Sequence, residues 1–171
     1  MDQVDGQTAK EISELLLEVT GRGLLAGDFD GFSTAFHLPH TVDSPAGTYV
    51  LRAREDLRSV FQSVRKIFVA QGVTDLVRVC ESAVFQSPTR VGATHVTHFM
   101  AKDRRVNNPF PTYSVLERHD GQWKIATSQY AMDPDSPEGR TLKPYPVPLM
   151  DPVHSSSDAG DLPRPSKKQA R

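Results

Sequence analysis

The stretch that decides the fold is "FPTYSVLERHDGQWKIATSQYAM", Phe110 to Met132. Two extended-looking runs flank Asp120-Gly121, a dipeptide suited to a two-residue hairpin turn. Pairing across that turn sets Arg118 opposite Trp123. Strict alternation then puts Tyr113, Ser128 and Tyr130 on one face, with Val115 and Ala126. The other face carries Leu116, Trp123 and Ile125. Both faces are too apolar to stand in water. One therefore packs on helices, and the other needs a covering partner, which predicts a homodimer through the outer face of the sheet.

Working upstream, "VTDLVRVCESAVFQ" and "RVGATHVTHFMAK" read as two more long strands, joined at Ser87-Pro88. Before them the hydrophobic period changes from two to 3.6. Arg54–Gln71 carries Leu57, Val60, Phe61, Val64 and Phe68 as one apolar stripe. Glu55 and Asp56 sit in its first turn, where the helix dipole favours negative charge, and Gly72 is its stop. "HTVDS" and "TYVLR" read as short strands around Pro45-Ala46-Gly47. A first helix spans about Thr8–Ala26, with Ala9, Ile12, Leu16, Val19 and Gly23 at helical spacing and Gly27 after it. Asp28 or Asp30 caps a short second helix over "GFSTAF", which Pro39 ends. Three helices followed by four long strands predict an α+β domain, its helices packed on one face of a curved antiparallel sheet.

The periodic pattern stops at Met132, so residues 1–132 are read as the domain. Residues 133–171 hold eight of the thirteen prolines and one aromatic, Tyr145. A segment so poor in apolar residues is expected to be largely disordered, because burial cannot offset its ordering entropy.

Composition narrows the function. Net charge is −1 in 171 residues, too little to steer nucleic acid or a membrane. "KDRRVNN", Lys102 to Asn108, reads as a solvated basic turn. There is no glycine-rich phosphate loop, no Cys/His metal spacing and no aromatic-basic interleaving, so no cofactor, metal or nucleic-acid partner is expected. The single cysteine, Cys80, rules out an internal disulfide and reads as a packing residue. "MDQVDGQTAK" lacks the apolar core of a secretory signal, and no run is long enough to span a bilayer, so a cytoplasmic location is expected.

Three stretches resemble the nuclear transport factor 2-like superfamily, which includes SnoaL-like proteins, ketosteroid isomerases and scytalone dehydratase. "AGDFDGF" resembles the turn between the first two helices. "TVDSPAG" with "RAREDLRSVF" resembles the strand–turn–helix of ketosteroid isomerases. "ERHDGQWKIATSQY" resembles the closing hairpin. The resemblance implies a cone, its sheet wrapped around the first helix with a pocket inside. It also implies a small, apolar or polyketide/steroid-like ligand, frequent dimers, and cofactor-free isomerase, dehydratase or hydrolase chemistry. In ketosteroid isomerases an Asp before Pro is the general base. Here Ser44 stands there, and a serine hydroxyl cannot take up a proton near neutral pH. The place of the oxyanion-donor Tyr is Thr20, and that of the second donor is near Tyr113. That specific isomerase activity is therefore rejected.

Other polar residues remain as candidates. His95 and His98 in "THVTH" point to opposite faces of a strand. His98 is favoured as the proton carrier, on a row with Thr94, Val96 and Met100; the row His95, Thr97, Phe99 is the alternative. His40 with Asp43 forms a possible His–Asp pair at the pocket mouth. Thr20, Ser44, Tyr113, Ser128 and Tyr130 are the expected ligand contacts. Two rival readings stay open: a non-catalytic dimeric interaction module whose pocket is filled by its own side chains, and an accessory subunit of a larger oxygenase.

Overall fold

The computed structural model describes residues 2–142. Two short strands, β1 (Gln3–Val4) and β2 (Gln7–Thr8), pair with each other and lead into α1 (Ala9–Ala26). Thr8 and Glu11 form a reciprocal capping box at the start of α1, and Gly27, with φ 74°, ends it in the left-handed conformation. Arg65, on the third helix, donates to the carbonyls of Leu24 and Leu25 at 2.7 and 2.9 Å. A cation thereby closes the negative end of the α1 dipole. Asp28 caps α2 (Phe29–Ser33), accepting from the Gly31 amide at 2.9 Å.

β3 (Phe36–Ser44) and β4 (Gly47–Leu51) follow as a hairpin, then α3 (Arg54–Gln71). Asp56 reaches back to the amides of Arg52 and Ala53, both at 2.9 Å, replacing the cap that Ala53 cannot provide. The long strands are β5 (Asp75–Ser87), β6 (Arg90–Ala101), β8 (Phe110–His119) and β9 (Gln122–Tyr130). A two-residue β7 (Arg104–Arg105) folds back on the end of β6. α4 (Pro137–Thr141) closes the described chain.

The main sheet runs β4-β3-β9-β8-β6-β5, antiparallel except for β3 beside β9, which is parallel. Its concave face wraps α1, as expected for the cone. Two apolar clusters fill the concavity. At the narrow end Ala9, Ile12 and Leu16 of α1 meet Val91, Ala93, Leu116 and Ile125 of the sheet. At the wide end Leu24, Phe29 and Phe32 meet Leu57, Phe61 and Phe68 of α3 and Phe99 and Phe110 of the sheet.

Some details depart from the expectation. Pro39 does not end a helix. It lies inside β3, which starts at Phe36 and carries an irregular register against β9 between Phe36 and Thr41. The β6–β8 ladder stops at Thr97 opposite Phe110. Beyond it the buried Asn107 takes over, accepting from the Phe99 amide at 2.8 Å and donating to the Thr97 and Asn108 carbonyls. Packing continues past Met132: Ser136 caps α4, and Glu138 and Leu142 are buried against the domain. The part of the expected disordered tail from 143 onward lies outside the described residues.

Candidate functional site

The two apolar clusters do not meet perfectly. Between them lies a cavity enclosing about 130 Å³, bounded by α1, α3, α4 and the concave face of the sheet. Most of its wall is apolar, for example Leu16, Leu24, Phe36, Phe99 and Ile125. The polar groups on it come mainly from neighbouring strands. Register places Tyr130 opposite Thr112, and Thr112 opposite His95, so the three form a rung across β9, β8 and β6. Ser128 opposite Ser114 forms the next rung. Arg78 enters from the edge strand β5, where it pairs with Thr97.

A bulge makes this arrangement. β8 and β9 pair as expected near the turn, with Arg118 opposite Trp123. The register then shifts: Leu116 faces Ile125, but Val115 faces Thr127. Ala126 is thus an extra residue on β9. An extra residue breaks the period-two alternation, so side chains beyond it change face relative to the turn end. Ile125, Ser128 and Tyr130 therefore all reach the cavity, whereas Tyr113 is turned out, opposite Gln129. The expectation that Tyr113, Ser128 and Tyr130 share a face fails for this reason.

His40 works at the same irregularity. Its Nδ1 lies 3.3 Å from the carbonyl oxygen of Ile125. A carbonyl only accepts, so Nδ1 carries the proton and the neutral ring keeps its lone pair on Nε2. The imidazole thereby occupies backbone that the bulge has taken from the ladder. His40 is only 1% exposed, and burial pulls its pKa down from 6.5 to about 4, against the opposing pull of the Ile125 and Ala126 backbone.

His95 has no such partner. Among the described residues none hydrogen-bonds the side chain of His95, Thr97 or Ser114, and all three line the cavity. Burial lowers the His95 pKa to about 3, and the charge on Arg78 adds to the effect. Its imidazole is neutral at physiological pH. Tyr130 is pushed the other way: burial raises its pKa, while its hydrogen bond with Ser128 and the charge of Arg78 partly oppose this, so its hydroxyl keeps its proton. The Arg78 guanidinium donates to the carbonyl of Leu17 in α1. Burial lowers its pKa from 12.5 to about 10, so it stays cationic at neutral pH.

The expected site residues divide. His40, Thr20, Ser128 and Tyr130 line the cavity. Thr20 is there as wall, because its hydroxyl is already bonded to the carbonyls of Leu16 and Leu17 at 2.8 and 3.2 Å. His98 must be corrected: it pairs with Val77 on the outer face, and the cavity row is the alternative one, His95, Thr97, Phe99. The His40–Asp43 pair does not form. Asp43 points outward, accepting from Thr48 at 2.7 Å and Gln129 at 3.4 Å. Ser44 is spent on its turn, donating to the Gly47 carbonyl and accepting from the Ala46 amide. Tyr113 is 37% exposed and bonded to Gln86. With Asp43, Ser44, Thr94 and Gln129 it borders a second, more open pocket of about 420 Å³, which Tyr130 also reaches. Arg78, Ser114 and Glu138 are cavity residues that the sequence reading passed over. Among the described residues no cluster of three or more His, Cys, Asp or Glu side chains is placed to hold a metal ion. None of the described helices is long and apolar enough to cross a membrane.

No protein-family model and no curated protein matches the chain. Solved structures do. A protein of unknown function with a cystatin-like fold from Nostoc punctiforme superposes with TM-score 0.59 at 17% identity, covering 79% of this chain and 98% of that one. A nuclear transport factor 2-like protein of unknown function from Shewanella oneidensis gives 0.55 at 11%, covering 71% and 98%. A ketosteroid isomerase-like protein from Erwinia carotovora atroseptica gives 0.53 at 14%, covering 71% and 94%. The chain has the nuclear transport factor 2-like fold. At these identities the likeness establishes architecture and no activity.

Proposed function

We propose that the protein binds a small, largely apolar molecule in this cavity and acts on it by cofactor-free proton transfer. One observation carries the reading: apolar walls surround strand-borne groups, His95, Thr97 and Ser114, that no neighbouring side chain has claimed. A buried polar group without a partner costs stability, and one that a ligand satisfies is a recognition element. Neutral His95 offers a ring nitrogen without a partner and is the proton acceptor once a bound molecule offsets the Arg78 charge, which together with burial holds its basicity down in the empty cavity. Tyr130, kept protonated by burial, is the donor to the oxygen on which charge develops, and Arg78 supports that charge. His40 positions the wall through Ile125. The name of the ketosteroid isomerase-like neighbour is compatible with this chemistry. Ser44 and Thr20, which stand at the places of the ketosteroid isomerase base and oxyanion donor, are occupied by local bonds and take no part in it.

A second copy of the chain is the proposed partner of the convex face. Val77 and Val79 on β5 are 39% and 50% exposed there, with Val96 of β6 opposite Val79. The oxygenase-subunit reading gains no specific support.

The test is a thermal-shift screen of neutral apolar metabolites against the full chain, since a ligand of the folded state raises the melting point by mass action. Hits are expected. His95→Asn should keep the shift from a hit and lose its conversion. A screen with no hit, like a filled cavity, would favour the non-catalytic interaction module. Conversion unaffected in His95→Asn would remove the proposed acceptor.

A further inference from the structure

Arg78 is the least expected residue in the cavity. It sits on β5 in the sequence Leu76-Val77-Arg78-Val79-Cys80, and its two valine neighbours face outward while the arginine faces in. That is the reverse of the pattern a half-buried strand should show. Among the described residues no carboxylate lies within ion-pairing distance of it. Among the described residues its one hydrogen-bond partner is the Leu17 carbonyl. A guanidinium has five N–H donors in a planar fork, so most of that capacity is unspent.

The room for the guanidinium is made by α1. A Cβ added to Gly21 would lie 2.7 Å from Arg78 Nη2. Gly21 has no conformational reason to be glycine, since it lies within a helix and shows no positive φ. Its effect is to let the cation lie against the helix. The one carboxylate on the cavity wall, Glu138, is engaged elsewhere, accepting from Gln71 at 3.1 Å. A half-buried cation with no counter-charge is costly, and such a group is kept where something else supplies the negative charge.

Building on the small-molecule reading above, we propose that the ligand is an apolar carboxylate, anchored by its carboxylate on Arg78. Its apolar body lies between Leu16, Leu24 and Phe99, and its charged end sits beside Tyr130 and His95. The space of about 130 Å³ inside this partly open cavity is close to the ~150 Å³ of an apolar cavity known to hold benzene. It therefore suits a body of one ring or a short chain. The planar fork favours carboxylate, which it meets through two parallel hydrogen bonds.

The experiment measures binding of benzoate and hexanoate to the full chain at neutral pH by calorimetry, with benzyl alcohol and hexanol as neutral partners. Each carboxylate should bind at least about tenfold tighter than its alcohol, a gap of about 1.4 kcal/mol. Arg78→Met should bring the ratio to about one while the alcohols still bind. Arg78→Lys should restore part of the preference. Gly21→Ala keeps the charge but displaces the fork, and should reduce the ratio without unfolding the helix. Alcohols binding as well as carboxylates to the unaltered protein, or a preference that survives Arg78→Met, would overturn the carboxylate assignment and leave the binding cavity standing. If neither class bound, the cavity reading would fall and this inference with it.

Discussion

The guanidinium of Arg78 occupies the space that a side chain on Gly21 would fill, at 2.7 Å from where the Cβ would stand. Two residues later on the same helix, Gly23 is closed in by a different kind of neighbour. Its Cβ would meet the Phe32 Cβ at 2.7 Å and the Asp28 carbonyl oxygen at 2.9 Å. Helix α1 thus has two glycines for two reasons, one facing a movable cation and one facing another element's backbone.

Stability should separate them. Gly21→Ala gains helix propensity of about 0.5–1 kcal/mol, and the tip of Arg78 can move aside, so its melting point should equal or exceed the original. Gly23→Ala forces α2 away and should cost about 2 kcal/mol despite the same gain. Thermal unfolding of the two variants decides it; equal losses would mean that the Gly21 site is as rigid as the Gly23 site.

Acid should weaken the protein early. His40 and His95 titrate near 4 and 3 in the fold, below the ~6.5 of an unfolded chain. Below pH 6.5 the unfolded chain takes up protons that the folded chain refuses. Stability is therefore full above that pH and falls as the pH drops toward the folded values, by about 1.4 kcal/mol per unit for each histidine. Urea midpoints between pH 7 and 4.5 should show this, and His95→Gln should remove about half of the slope those two residues impose. A profile unchanged by His95→Gln would contradict its neutral burial.

The convex face should hold two chains together. Val79→Lys places a charge beside Val77 and Val96 and should convert a dimer into a monomer, with circular dichroism unchanged. Light scattering on the eluting peak reads this directly. A monomer before substitution at tens of micromolar would dispose of the proposal.

Asn107 stands in for a missing strand end. Asn107→Ala strips the Phe99 amide and the Thr97 carbonyl of their partner in a buried setting, at a cost of about 2 kcal/mol or more. The loss should appear as a lower melting point and faster hydrogen exchange at the Phe99 amide. Unchanged exchange there would mean that water replaces the side chain freely.

The helices are readable because their signals are local: the stripe Leu57, Phe61, Phe68, the acidic first turn at Glu55 and Asp56, and the stops at Gly27 and Gly72 each act within a few residues. Asp120-Gly121 was readable for the same reason, both residues having positive φ in the turn. The site was only partly legible. Ser128, Tyr130, His40 and Thr20 reach the cavity as expected, but the parity that would have excluded Tyr113 depends on one extra residue, Ala126, which resembles its neighbours. His95 and His98 stand on equivalent terms in "THVTH"; only the pairing of β6 with β5 and β8 distinguishes them. Arg78 is missed because Val77 and Val79 look like the inward set, whereas they face outward.

The parallel pairing of β3 with β9 sets Phe36 opposite Ile125, and the His40 ring meets the Ile125 carbonyl across 85 positions of the chain. During synthesis the cavity has no far wall until the last strand emerges, and its apolar lining waits unsealed. Such distant pairings are formed slowly, after local structure. A molecule that occupies the finished cavity should therefore leave the refolding rate unchanged and act by delaying escape from the native state.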